Sequence, residues 1–232
     1  MGIKGFQGTS LLDFPGRISA LVFFGGCNLT CPFCHNPSLV ESPQLLPDLP
    51  PDMIIAELRL RKNFIDGVVV TGGEPTLDRE LGPFLQEVKN LGLETKLDTN
   101  GLRPEVLRKL SENGLIDYLA LDFKTSPERY GELHPEGVDI GALAASASLA
   151  AGGTIPGEIR TTCVPGLVEE PDIRRMGELV RGAPLWVLQG FVPRYALDPG
   201  LRDGEPVPPE KMRGLADRAG EYVGEVRLRG MD

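Results

Sequence analysis

Three cysteines fall within eight residues, in the run Cys27-Asn28-Leu29-Thr30-Cys31-Pro32-Phe33-Cys34, and a fourth, Cys163, stands far downstream. A tight group of thiols in a reducing compartment points to metal or redox chemistry rather than a disulfide frame. Spacings of three and two residues let one loop wrap a compact inorganic centre. Gly25-Gly26 just ahead lets the backbone come close, and amide hydrogen bonds to sulfur tune such centres. A cubane iron–sulfur cluster takes four ligands, so three neighbouring cysteines leave one iron open unless Cys163 or His35 supplies the fourth. Two other readings stand beside this one. Cys27, Cys31, Cys34 and His35 could hold a structural zinc, although such sites usually combine separated ligand pairs. The thiols could also be buried and inert, which is the expected role of Cys163 inside a candidate strand.

Polar clusters recur at the ends of three further apolar runs. The first is Thr71-Gly72-Gly73-Glu74-Pro75, where two glycines allow close approach to a ligand and Glu74 offers a carboxylate to a cation or ammonium group. The second is Leu97-Asp98-Thr99-Asn100-Gly101, and the third is Leu119-Ala120-Leu121-Asp122-Phe123-Lys124. Taken singly, Gly72-Gly73 reads as a turn, Asp98 as a helix cap or Asx-turn, and Lys124 as half of a surface salt bridge. Four such clusters at successive strand ends, one of them rich in thiols, match the active face of a parallel barrel.

The elements that must carry them alternate along the chain. Short apolar runs predict strands at Ile18–Phe24, Gly67–Thr71, Leu93–Thr99, Tyr118–Phe123, Glu158–Val164 and Leu185–Val192. Helical stretches lie between them near Pro51–Phe64, Leu77–Leu91, Pro104–Asn113, Ile140–Ala151 and Asp172–Arg181, with Pro51 and Pro104 suited to first turns and Gly92 and Gly114 to C-terminal caps. Repeated βα units predict an α/β fold with a parallel sheet, either open and doubly wound or closed into a barrel. The proline-rich segments Ser42–Pro51 and Asp198–Pro209 read as surface connections. A helix near Glu210–Tyr222 and a strand near Val226–Arg229 are expected to close the domain. No linker divides the chain, so residues 1–232 are expected to form one domain, with 25–37 as the thiol loop and 198–232 as closing elements.

The chain has 232 residues, 24 Lys+Arg against 33 Asp+Glu, and a formal net charge of −9. Without a basic stripe it is not expected to bind nucleic acid. The longest apolar run, Ile18–Phe24, is far short of the ~20 residues a membrane span needs, and no signal peptide is visible, so no membrane association and a cytoplasmic location are expected.

With these residues in view, the sequence resembles the radical S-adenosylmethionine superfamily, and within it the activating enzymes of glycyl radical enzymes. It is most similar to the activating proteins of anaerobic ribonucleoside-triphosphate reductase. The resemblance rests on Cys27-x3-Cys31-x2-Cys34 with Phe33 ahead of the third cysteine, on His35-Asn36-Pro37, on Gly72-Gly73-Glu74-Pro75, Asp98-Thr99-Asn100-Gly101 and Leu121-Asp122-Phe123-Lys124, and on the opening Ser10-Leu11-Leu12-Asp13-Phe14-Pro15-Gly16. It implies an incomplete parallel (βα)6 barrel. It also implies a 4Fe-4S cluster on Cys27, Cys31 and Cys34, with S-adenosylmethionine chelating the open iron. Gly72, Gly73, Glu74 and Pro75 would meet the methionine amino group, the backbone near Phe33 the adenine, and Asn36, Asp98 and Lys124 would line the cofactor pocket.

The implied chemistry is reductive cleavage of the cofactor to a 5′-deoxyadenosyl radical, which removes hydrogen from a backbone glycine of a partner glycyl radical enzyme. No protein acid or base is required, so no catalytic side chain is assigned. The only histidines are His35 and His134, so the late histidine of formate-lyase activases has no counterpart, and Cys163 alone cannot hold a second cluster. Electrons are therefore expected from an external ferredoxin or flavodoxin. Three alternatives stay open: activation of another glycyl radical enzyme, a small-molecule substrate as in deazapurine-forming synthases, and a non-enzymatic iron–sulfur carrier or zinc-stabilised binding module.

Overall fold

The computed structural model describes residues 2–134 and 136–231. Its contacts divide the chain into two compact units. One comprises Met1–Asn28, Ser38–Thr99 and Glu105–Leu119; the other comprises Leu29–Pro37, Asn100–Pro104 and Ala120–Asp232.

The elements of the first half are β1 (Ile3–Ser10), β2 (Ser19–Phe24), α1 (Pro37–Glu41), α2 (Pro51–Arg61), β3 (Gly67–Gly72), α3 (Leu81–Asn90), β4 (Glu94–Thr99), α4 (Pro104–Glu112) and β5 (Tyr118–Asp122). In the first unit β1 runs antiparallel to β2, and β2, β3 and β4 are parallel. The registers align Leu21 with Val69 and Val69 with Lys96, so these three residues form one row across the sheet. Val68, Val69 and Val70 of β3 are wholly buried, as expected of a parallel strand covered on both faces. Leu81, Phe84, Leu85 and Val88 of α3 are buried at helical spacing, and Phe84 meets Phe24 of β2 edge to face at 6.2 Å. From the connection after β1, the buried Phe14 packs on Leu21 and Val69 and lies 5.8 Å from the Tyr118 ring. Gly67 makes room for it, since a Cβ there would stand 2.9 Å from Phe14 Cε1.

The second unit continues with α5 (Ile140–Ala151), β6 (Gly157–Cys163), α6 (Glu170–Leu179), β7 (Leu185–Gly190), α7 (Pro209–Ala219) and β8 (Glu225–Arg229). Strands β6, β7 and β8 are parallel. Phe123, just past β5, donates its N–H to Arg160 O of β6 at 2.8 Å. Trp186 is wholly buried and donates Nε1–H to Thr161 Oγ1 at 3.0 Å, while that hydroxyl donates to Phe123 O at 2.7 Å.

All six strands expected from the apolar runs are present as β2 to β7, and the expected closing helix and strand are α7 and β8. Two elements escaped the pattern, β1 and the short α1. The helix expected over Leu77–Leu91 starts only at Leu81. Pro75–Leu77 instead forms a 3₁₀ turn, and Asp78 Oδ1 accepts from Glu80 N at 2.9 Å in an Asx-turn ahead of α3. No helix among the described residues is long and apolar enough to cross a membrane.

Candidate active site

In the first unit the ends of β2, β3 and β4 are tied together. The thiol loop leaves β2 through Gly25, Gly26 and Cys27. The loop after β3 packs onto it backbone to backbone: Gly73 N donates to Phe24 O at 2.9 Å and Glu74 N to Gly26 O at 2.8 Å. A Cβ on Gly73 would stand 2.0 Å from Gly26 O, and one on Gly72, at φ +117°, would stand 2.4 Å from Phe24 O. Both glycines are therefore needed by the neighbouring loop itself, a tighter demand than the ligand approach read from the sequence. Pro75 follows, buried, at the head of the 3₁₀ turn. Glu74 is 1% exposed, and its Oε1 accepts from Thr76 N at 3.1 Å, Thr76 Oγ1 at 2.5 Å and Thr99 Oγ1 at 2.8 Å. This carboxylate clamps the end of β3 to the end of β4.

Asp98, at the end of β4, is buried, and its Oδ1 pairs with the ammonium of Lys96 on the same strand face. Asn100 makes an Asx-turn in this segment, its Oδ1 accepting from Leu102 N at 3.1 Å. Lys96 did not stand out in the sequence, although a lysine two residues before an aspartate shares its face of a strand.

In the second unit, Leu29–Pro37 carries Cys31 (buried), Phe33 (buried), Cys34 (half-buried), His35 and Asn36. Thr30 donates from N and Oγ1 to Leu133 O at 3.0 and 3.1 Å, and Asp198 N donates to Pro32 O at 2.8 Å. Cys34 N donates to Cys31 O at 3.0 Å, and Cys34 Sγ accepts from Asn36 N at 3.4 Å. His35 stacks on Phe191 at 6.1 Å and meets Tyr195 edge-on at 6.0 Å. Burial, and secondarily the Lys124 charge, hold its imidazole below the usual pKa.

Lys124 lies in the same unit. Its Nζ donates to Asp122 Oδ2 at 3.0 Å, and Asp122 Oδ1 accepts from Arg160 Nε at 2.8 Å. Burial alone would lower the Lys124 pKa, but the Asp122 carboxylate, and secondarily a Cys31 thiolate, outweigh it and raise it. Burial would likewise raise Asp122, yet Arg160 and Lys124 hold its carboxyl well below the usual range. The salt bridge expected at Lys124 therefore exists, between half-buried side chains, with Arg160 and Tyr130 as neighbours the motifs did not reveal. Tyr130 is 1% exposed, and its hydroxyl accepts from Lys124 N at 3.0 Å. Cys163 ends β6 wholly buried. Its thiol is pushed up to about 12 by burial, with a contribution from Glu169, which makes it a core residue as expected.

All four cysteines are outside disulfides. Among the described residues, no three His, Cys, Asp or Glu side chains group tightly enough to ligate a single ion, whereas a cubane takes its thiolates at separate irons. The donor set of the loop fits such a cluster: three thiols in sequence, a backbone N–H on Cys34 Sγ, and a cation charge-coupled to Cys31.

The sequence profile of the radical SAM superfamily matches residues 21–175. The chain belongs to that superfamily. It is 32% identical over 235 positions to a Methanocaldococcus jannaschii protein named as an inferred glycyl-radical enzyme activating enzyme, covering 98% of this chain and 95% of that one. It is 27% identical over 248 positions to the pyruvate formate-lyase 1-activating enzyme of Escherichia coli K12, covering 95% and 97%. Both likenesses run the full length and set this radical SAM enzyme among the glycyl-radical-enzyme activating enzymes. A 7-carboxy-7-deazaguanine synthase of Hyperthermus butylicus is 34% identical over 129 positions, covering 54% of this chain and 53% of that one. Among solved structures, Streptococcus suis SuiB bound to its precursor peptide SuiA superposes with a TM-score of 0.69 at 16% identity. The match covers 90% of this chain and 48% of SuiB, so the chain spans about half of SuiB's length and shares its α/β fold. The superfamily uses a 4Fe-4S cluster and S-adenosylmethionine, and SuiB has also been solved with S-adenosylmethionine bound.

Proposed function

We propose that this radical SAM enzyme installs a glycyl radical on a partner protein, with anaerobic ribonucleoside-triphosphate reductase as the foremost candidate. The observation that carries the reading is the interlocked pair of loops: the segment leading into Cys27 and the Gly72–Glu74 segment share two backbone hydrogen bonds with no room for a Cβ. This joins the start of the thiol loop to the end of β3 as one rigid piece, which a cofactor held by both requires. The end-to-end likeness to an activating enzyme, against a half-length likeness to a deazaguanine synthase, supports a protein substrate.

When bound, the cluster and S-adenosylmethionine supply a 5′-deoxyadenosyl radical. The chain's own residues bind, orient and exclude water. Cys27, Cys31 and Cys34 serve as cluster ligands. Lys124, kept protonated beside Asp122, would offer a fixed cation to the cofactor's carboxylate, and the same reading assigns the other cofactor contacts to Phe33, Asn36, Gly72, Gly73, Glu74, Pro75 and Asp98. Cys163 stays a protonated core thiol, so no ligand set for a second cluster follows, and electrons come from an external ferredoxin or flavodoxin in a reducing cytoplasm. The deazaguanine synthase likeness keeps a small-molecule substrate as the second reading.

The test is anaerobic reconstitution with iron and sulfide, followed by S-adenosylmethionine and dithionite. 5′-Deoxyadenosine is expected from the wild type and not from Cys31→Ala. Adding the reductase should then produce a glycyl radical signal by electron paramagnetic resonance. Cofactor cleavage with no glycyl signal on the reductase or on a formate lyase would move the assignment to the small-molecule reading. A fully clustered protein that yields no 5′-deoxyadenosine would be an electron carrier.

A further inference from the structure

Lys96 is 1% exposed, among the least accessible side chains in the protein. It occupies the third place in a row whose other members, Leu21 and Val69, are apolar and packed against Phe14. Its ammonium pairs with Asp98 Oδ1 and stands 6.0 Å from the centre of the Tyr118 ring. A leucine or methionine would fill this place at no electrostatic cost, because a buried ion pair rarely outperforms apolar packing of the same volume. The fold does not need the lysine. Asp98 uses it, since the ammonium fixes which way the carboxylate oxygen Oδ1 points.

We infer that Lys96 is a positioning residue: a built-in counter-cation that holds the Asp98 carboxylate aimed at the end of β4, where it orients S-adenosylmethionine. The inference rests on the reading of Asp98 as a cofactor-lining residue. Lys96 itself, one turn of the pleat below Asp98 on the same strand face, sits deeper than the strand end and does not touch the cofactor. The pair is locally neutral, so the cofactor meets an oriented carboxylate rather than an unbalanced negative charge.

The experiment uses the full-length, cluster-reconstituted protein and reads S-adenosylmethionine affinity by anaerobic titration calorimetry, with thermal unfolding recorded in parallel. Lys96→Met and Asp98→Asn are each expected to weaken binding by roughly 10–100-fold, the usual range for losing a partner that orients a ligand contact. The double variant is expected to bind no worse than the weaker single one, because the two residues act as a unit. In Lys96→Ala, added ammonium or methylamine should restore binding, and should do nothing for Lys96→Ala/Asp98→Asn. If Lys96→Met does not fold, Lys96→Ala purified in methylamine keeps a cation in place, and dialysing the amine away reads the same loss. Wild-type affinity in Lys96→Met beside a weakened Asp98→Asn would overturn the inference and leave Lys96 a packing residue. Wild-type affinity in Asp98→Asn would instead remove Asp98 from the cofactor site, and the inference with it.

Discussion

Cys163 and Cys34 show how far surroundings divide one side chain from another. With its thiol pushed up to about 12, Cys163 stays protonated at neutral pH and is wholly buried, whereas Cys34 is half-buried in an irregular loop. Only thiolates react at useful rates. Iodoacetamide on the metal-free native protein is therefore expected to label Cys34 and leave Cys163 untouched until denaturant is added, as read by peptide mass spectrometry. Asp122 gives a pH prediction. Its carboxyl is held below the usual value of 3.8 in the folded protein, burial being outweighed by Arg160 and Lys124. The stability it contributes is thus present above pH 3.8 and is lost as pH falls toward the depressed value. Arg160→Gln removes one of the two cations, raises that value, and should move the acid unfolding midpoint to higher pH, measured by circular dichroism. At this scale the sequence was informative wherever a residue type is uncommon in its setting. The thiols, Gly72-Gly73 and Lys124 stood out for that reason. Arg160 did not, because only the folded sheet brings it beside Asp122, 38 residues away, and Tyr130, six residues past Lys124, did not because a lone aromatic carries no spacing signal of its own.

Among the elements, two glycines in opposite settings separate what a loop needs from what a helix tolerates. Gly73→Ala forces a Cβ to within 2.0 Å of Gly26 O, an oxygen that cannot yield without breaking the Glu74 N–H bond it accepts. The variant is expected to lose the pairing of the two loops and to retain little iron after reconstitution, measured as iron per chain. Gly214 lies inside α7, where an added methyl group would meet nothing within 4 Å. Gly214→Ala is expected to stabilise by about 0.5–1 kcal/mol through helix propensity alone, seen as a higher thermal midpoint. Strands β2 to β7 were legible because buried parallel strands are continuous apolar runs. Strand β1 was not: Ile3-Lys4-Gly5-Phe6-Gln7-Gly8-Thr9-Ser10 is half-buried, and its glycines serve neighbours, Gly5 facing Phe23 and Gly8 facing the Arg61 guanidinium. Its pairing with β2 compensates for a pattern that carries no periodicity of its own.

For the whole molecule, the proposed reading gives the loop cysteines one cluster. Reconstituted protein is expected to hold about four irons per chain, unchanged in Cys163→Ala, as measured by iron and sulfide analysis. A second cluster's worth of iron would place a relay inside the chain and remove the need for a separate electron donor. The fastening of the thiol loop sets a further constraint. Pro32 is held by Asp198, and His35 meets both Phe191 and Tyr195, all three partners beyond β7. A ribosome releases the three loop cysteines while those clasps are still unmade. The nascent chain thus passes through a period in which its thiols are exposed and unfastened, open to oxidation or to the wrong metal. Cluster insertion on this chain is accordingly expected only after Asp198 has emerged, and until then the loop needs shielding.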